Sequence, residues 1–376
     1  MQKPFYQLEH HHEVIRQFTP NWFTMTMGTG VVALILPEFS FVHEWFWSVG
    51  ADLWQFNTIL FCVFSLLYLL RWLIYPHEAK QIFSHASMAL FLGAIPMGLA
   101  TVMNGFLKYG MTLYGDIALQ IAHGLWYLDV VLAVLIGIIV PFFMFSQQKH
   151  ELQTMTAMWL LPIVACEVAA TSGGLLLAHL PAGQEAVGIL FASYVLWGMS
   201  VLPAFGILSI LMLRLALHQL PSKELAITGW LALGPIGTGA LALLVLGAQA
   251  PQVLAWIQMQ QLGVFFQNIG IVASFILLGF GIWWFAIAIL TTLKHVATDL
   301  PFNLGWWGLT FPLGVFTLAL LNLGQHIQVN FIVDVGLAFA TILMLLWVMV
   351  MTKTVKGMYQ GHLFFSPCLK VLLENK

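Results

Sequence analysis

Gly234-Pro235-Ile236-Gly237-Thr238-Gly239 interrupts an apolar run long enough to cross a bilayer, and the same punctuation recurs along the chain. Gly93-Ala94-Ile95-Pro96-Met97-Gly98 and Phe311-Pro312-Leu313-Gly314 repeat it. Pro162 followed by Ser172-Gly173-Gly174 varies it, and Pro20 with Gly28-Thr29-Gly30 opens the series. A proline inside a helix costs about 3 kcal/mol in an ordinary setting. In lipid no water satisfies the freed backbone groups, so such breaks persist where protein or a water-filled cavity surrounds them.

The runs that carry these breaks belong to a membrane protein. Hydrophobic residues make up 60% of the chain and charged residues 7%, whereas soluble domains carry roughly a quarter charged residues. Stretches of spanning length fall near 19–36, 51–72, 86–104, 117–146, 156–178, 187–213, 226–247, 262–291, 306–324 and 331–352. The expected fold is an all-α membrane protein of ten transmembrane helices. A polar N-terminal arm occupies 1–17, the membrane domain 18–353 and a C-terminal tail 354–376. The arm is polar and the first apolar run is full length, so no cleaved secretory signal is expected. With the N-terminus in the cytoplasm, only Lys108 of the thirteen Lys and Arg falls in an outer loop. The positive-inside rule therefore predicts a multi-pass protein of the cell membrane with both termini cytoplasmic. A net charge of −2 gives nucleic acid no electrostatic footing.

The breaks fall on the first, third, fifth, seventh and ninth runs, which all cross in one direction; the even runs are smoother, apart from Pro141 and Pro203. Small residues also serve helix packing, and a single break would be read that way. Repetition on alternate runs points instead to five helical hairpins around a central pore, with odd helices inside and even helices facing the lipid bilayer. Gly28, Gly30, Pro96, Pro162, Pro235 and Pro312 are the expected pore-lining kinks, and Thr29, Thr171, Thr238 and Thr310 the polar lining candidates. Hydroxyls donate to anions and accept from cations. The residues by themselves predict a pore and leave the sign of the ion open.

Two acids stand inside apolar runs, Glu167 in the fifth and Asp129 in the fourth. Intramembrane carboxyls are functional candidates by default, and both are candidate protonation sites, with Glu167 expected to border the pore. His123 shares the run of Asp129 but lies on another face. Cys62, Cys166 and Cys368 form no disulfide framework. His10-His11-His12 lacks nearby ligand partners and reads as a solvated arm, so no metal site and no cofactor are expected. The competing class is a membrane-embedded haem or metal redox protein, suggested by thirteen histidines. Of these only His123 is clearly in the membrane interior.

Phe18-Thr19-Pro20-Asn21-Trp22-Phe23, followed by Met27-Gly28-Thr29-Gly30, resembles the opening of the tellurite-resistance/dicarboxylate transporter family. That family includes the bacterial tellurite-resistance protein, the plant guard-cell slow anion channel, and the fungal malate permease and sulfite efflux pump. Pro301-Phe302-Asn303-Leu304-Gly305-Trp306-Trp307, running into Thr310-Phe311-Pro312-Leu313-Gly314, is similar to its ninth-helix signature. Gly361-His362-Leu363-Phe364-Phe365-Ser366-Pro367-Cys368-Leu369 resembles the end of the fungal sulfite and malate members. The resemblance implies a homotrimer with a pore in each protomer. It implies small inorganic or dicarboxylate anions as substrates, with protons as a coupled partner left open. It also implies that Phe311 occludes the pore, as an aromatic ring across a narrow apolar tube blocks hydrated ions.

Overall fold

In lipid every backbone N–H and C=O must be satisfied within its own segment, so each apolar run closes into a helix. The computed structural model describes residues 5–8, 10, 12–296 and 300–374; His11, named above, and Lys3 and Lys376, counted above among the thirteen Lys and Arg, lie outside them. Among the described residues, ten helices are long and apolar enough to cross a membrane. They are α1 (Pro20–Phe39), α2 (Trp45–Ile74), α3 (Ala89–Tyr114), α4 (Asp116–Ser146) and α5 (Ala157–Leu177). The second half comprises α6 (Gln184–His218), α7 (Lys223–Ala255), α8 (Gln260–Val296), α9 (Leu304–His326) and α10 (Asn330–Gln360). No strand occurs among the described residues. The last span overruns the expected boundary at 353 and stops where Gly361 takes a left-handed φ of 94°, a conformation glycine adopts without steric cost.

Odd and even spans differ sharply. Between 83% and 94% of the apolar window of each odd span is buried, against 17% to 33% for the even spans. Each odd span packs on the next odd one, and α9 closes back on α1. The even spans lie over this ring and present large apolar side chains such as Leu73, Phe142, Leu202, Ile276 and Leu345 outward. Each even span also reaches inward through an indole N–H, the polar handle that a buried tryptophan must satisfy. Trp54 of α2 donates to Val102 O at 3.0 Å, Trp126 of α4 to Ala169 O at 3.0 Å and Trp197 of α6 to Gly239 O at 3.0 Å. Trp284 of α8 donates to Gly229 O at 2.9 Å and Trp347 of α10 to Thr29 Oγ1 at 3.2 Å.

The breaks prove to be changes of helix type. Every odd span starts as a 3₁₀ helix, over Pro20–Trp22, Ala89–Gly93, Ala157–Leu160, Lys223–Ala232 and Leu304–Leu309. It then passes into α-helix at Phe23, Ala94, Leu161, Leu233 and Phe311. Pro96, Pro162, Pro235 and Pro312 fall within the first three α positions, where the missing N–H is not called on by the α-helix. The kink cost expected for an interior proline does not arise there. Interior prolines are Pro141, Pro203 and Pro251. The ten-residue 3₁₀ stretch of α7 exceeds the usual three or four residues.

Gly28 and Gly30 lie where helices approach closely. A side chain on Gly28 would strike Trp307 and Thr310 of α9, and one on Gly30 would strike Asn57 and Thr101. The same close approach joins α7 to α9, where a Cβ on Gly237 would lie 2.6 Å from the Cα and N of Phe316.

The opening and closing sequence motifs meet. Trp22 stacks on Phe364 with ring centroids 4.8 Å apart, and Ser366 N donates to Gln17 Oε1 at 2.8 Å. The buried Arg71 of α2 donates to Phe18 O and, at 3.0 Å, to Ser366 Oγ. The basic arm-to-loop contact is Arg16 to Glu78, at 2.7 Å. In the ninth-span motif Asn303 Oδ1 caps the 3₁₀ turn by accepting from Gly305 N at 2.8 Å. Lys353 of α10 lies over the rings of Phe302 and Trp306, 5.8 and 5.5 Å from their centroids.

Candidate functional site

Two cavities lie on the axis of the odd-span ring, and all five odd spans contribute to each. The first, at the 3₁₀ ends, is lined by Thr24 and Met27 of α1, Phe91 of α3, Met158 and Leu161 of α5, Thr228 and Leu231 of α7, and Phe311 and Pro312 of α9. Its volume is about 20 Å³, enough for a single water. The second, at the opposite ends, is a vestibule of about 380 Å³. Leu34 and Glu38 of α1, Asn104, Leu107 and Lys108 of α3, Leu175 with Ala178 and His179 at the end of α5, Leu241 and Val245 of α7, and Leu318, Leu321, Asn322 and Gln325 of α9 line it. Between Phe311 and Leu318 the ninth helix rises roughly 10 Å. Phe311, 3% exposed, borders the small cavity, and Leu318 borders the vestibule.

Of the kink residues expected to line a pore, only Pro312 borders one of these cavities. Phe311 does so as well. The four threonines are buried among helices and differ in their bonding. Thr29 accepts the indole N–H of Trp347, Thr171 donates to Glu167 O at 2.9 Å and Thr310 to Trp307 O at 2.7 Å. Thr238 alone of the four has a fully buried Oγ1 without a hydrogen-bond partner. It sits on α7 between Leu231 of one cavity and Leu241 of the other, a hydroxyl at the constriction with its bonding capacity unused.

Glu167 borders neither of the two cavities. Its carboxyl faces Gly239 of α7, where an added Cβ would lie 3.2 Å from Oε2, and Ser200 of α6 stands beside it. Gly239 points on toward Val201 and Leu277 of even spans, so the acid occupies the junction of α5, α6 and α7 on the outer side of the ring. Asp129 is equally buried on α4, with Cys166 near both acids. His123 makes its contact with Glu185 of α6, at 3.1 Å. All three cysteines are free thiols.

The vestibule holds residues that sequence reasoning passed over. Lys108, noticed only as the exception in the charge distribution, sits on a π-helical turn, Phe106–Gly110, a distortion often found at functional sites. Its Nζ pairs with Glu38 Oε1 at 3.1 Å, and Gln325 Nε2 donates to Glu38 Oε2 at 2.7 Å. Partial enclosure holds the His179 imidazole below its ordinary value, so it is neutral at pH 7. A lone basic residue next to the end of a broken helix was the available signal.

Comparison with known proteins accords with this architecture. Residues 17–355 match the voltage-dependent anion channel family. The sulfite efflux pump of Arthroderma benhamiae is 35% identical over 354 residues, covering 93% of both chains. A transporter of Methanocaldococcus jannaschii is 30% identical over 93% of this chain and 97% of its own. The malic acid transport protein of Schizosaccharomyces pombe is 23% identical over 93% of this chain and 81% of its own. A ring of five buried spans with a cavity at either end, matched over nearly its whole length, identifies the chain as a multi-pass membrane protein of the voltage-dependent anion channel family.

Proposed function

We propose that this protein moves sulfite or malate-like dicarboxylates across the cell membrane, through a pore in each protomer of a homotrimer, with Phe311 as the gate. The observation that carries the reading is the pair of axial cavities, each lined by all five odd spans and separated where Phe311 is buried. Both termini face the cytoplasm, because the cations cluster at the 3₁₀ ends and Lys108 stands alone at the other. The small cavity is then cytoplasmic and the vestibule opens outward. The sign of the ion follows from the family and its named relatives, since the free hydroxyl of Thr238 can serve either sign. Sulfite takes precedence over malate because the sulfite pump is the more similar of the two named relatives. The transport relatives also favour this reading over the redox alternative. Purified protein in liposomes should pass sulfite ahead of malate, chloride and nitrate, measured with and without a pH gradient. Failure to pass any of the four anions would refute the proposal.

A further inference from the structure

We propose that Lys108 is the anion-recognition residue of the outer vestibule and that Glu38 is its built-in stand-in, occupying Lys108 until a small oxyanion replaces it. The inference rests on the anion-transport reading and adds a second recognition point to it, separate from the Phe311 constriction.

Four observations converge. Among the described residues Lys108 is the one Lys or Arg lining the vestibule, and its neighbour His179 is neutral at pH 7. The π-helical turn Phe106–Gly110 offsets this stretch of α3 from the regular helix that precedes it, and Lys108 is a lining residue there. Glu38, in the 3₁₀ turn that ends α1, presents a carboxylate to Lys108 Nζ at 3.1 Å while Gln325 of α9 holds its other oxygen at 2.7 Å. Asn104, in the turn before Lys108, is 9% exposed and lines the same wall, where its side-chain NH2 is a donor.

A carboxylate is chemically the same kind of ligand as sulfite or a dicarboxylate: a planar or pyramidal set of anionic oxygens that accepts from an ammonium group. Exchanging Glu38 for such an anion keeps Lys108, whose side chain is 38% exposed, paired throughout. Gln325 retains Glu38 once it lets go, and the side-chain amides of Asn104 and Asn322 in the same wall supply donors to the incoming oxygens. The Lys108–Glu38–Gln325 chain also links α1, α3 and α9 across the vestibule, so occupation by an anion loosens that link when substrate is present.

The test is the half-saturating sulfite concentration for flux in proteoliposomes, with sulfite on the vestibule side. Lys108→Gln should raise it about tenfold, the value of one charge-assisted hydrogen bond, while Lys108→Arg restores it. Glu38→Gln should lower it, because the competing carboxylate is gone. The double variant should behave like Lys108→Gln. Equal half-saturation in wild type, Lys108→Gln and Glu38→Gln, with matched thermal midpoints, would overturn the inference and leave the transport reading intact. Weaker sulfite affinity in Glu38→Gln would also overturn it, by making Glu38 a brace and not a competitor. A wild-type protein that passes no anion refutes the transport reading itself.

Discussion

Replacing Phe311 by alanine tests the gate directly. The ring is 3% exposed and ends a cavity of about 20 Å³, so anion passage requires it to leave its apolar surroundings. Removing a buried phenylalanine side chain from such contacts costs about 1.5–3 kcal/mol. If that cost is the opening free energy of the wild type, the closed state outweighs the open one roughly ten- to a hundredfold. Phe311→Ala abolishes the penalty, and single-protein conductance or liposome flux should rise by the same factor. Phe316 supplies the control. It lies on the same helix, fully buried, with its ring against Gly281 and 5.5 Å from that of Phe339. Phe316→Ala should cost about 3–5 kcal/mol of stability and leave conductance unraised. Patch recordings or stopped-flow anion efflux would separate the two. Conductance unaltered in a well-folded Phe311→Ala protein, or raised equally in both variants, would refute the gating argument.

Gly237→Ala would place a methyl group 2.6 Å from the backbone of Phe316, a contact no rotamer can relieve. A loss of about 1–3 kcal/mol should appear as a lower thermal midpoint in detergent. Glu167→Gln should leave the pH profile of flux unchanged, since the carboxyl lies between α5, α6 and α7 away from both cavities; a displaced profile in flux assays from pH 5 to 8 would restore proton coupling to that residue. His85 Nδ1 accepts from the N–H groups of Ser87 and Met88 at 3.3 and 3.2 Å, and burial holds its imidazole below the ordinary value. The folded protein therefore binds fewer protons than the unfolded chain just below pH 6.5, taking about 6.5 as the free imidazole value, and stability falls as pH falls through that window. Thermal midpoints should drop on acidification for the wild type and drop less for His85→Leu; parallel slopes would remove His85 from the account.

The spans and the division into buried odd and exposed even helices were legible because they depend on composition and on punctuation that repeats. The role of each break was not. A proline in an apolar run reads the same whether it bends an α-helix or stands at a 3₁₀-to-α junction, since both leave one N–H missing and only the bonding of its neighbours differs. Gly28 and Gly30 read as pore residues because glycine signals close approach without saying to what; Trp307, Thr310, Asn57 and Thr101 supply the answer from distant parts of the chain. Glu167 was assigned to the pore by depth alone, and depth says nothing about which face of a helix a side chain occupies. The Lys108–Glu38–Gln325 set joins residues from three spans, a link that no local pattern announces.

The junction of Arg71 with Phe18 and Ser366 has a consequence for how the protein is made. Arg71 and Ser366 are 295 positions apart, so the guanidinium enters the membrane early in synthesis while one of its partners is still untranslated. A nascent chain halted after α10 has an under-satisfied arginine at the edge of its second helix and a Trp22 ring without its Phe364 cover. Synthesis through Ser366 supplies both contacts together. The C-terminal motif thereby ties the packing of the first two spans to translation of the segment that follows the tenth.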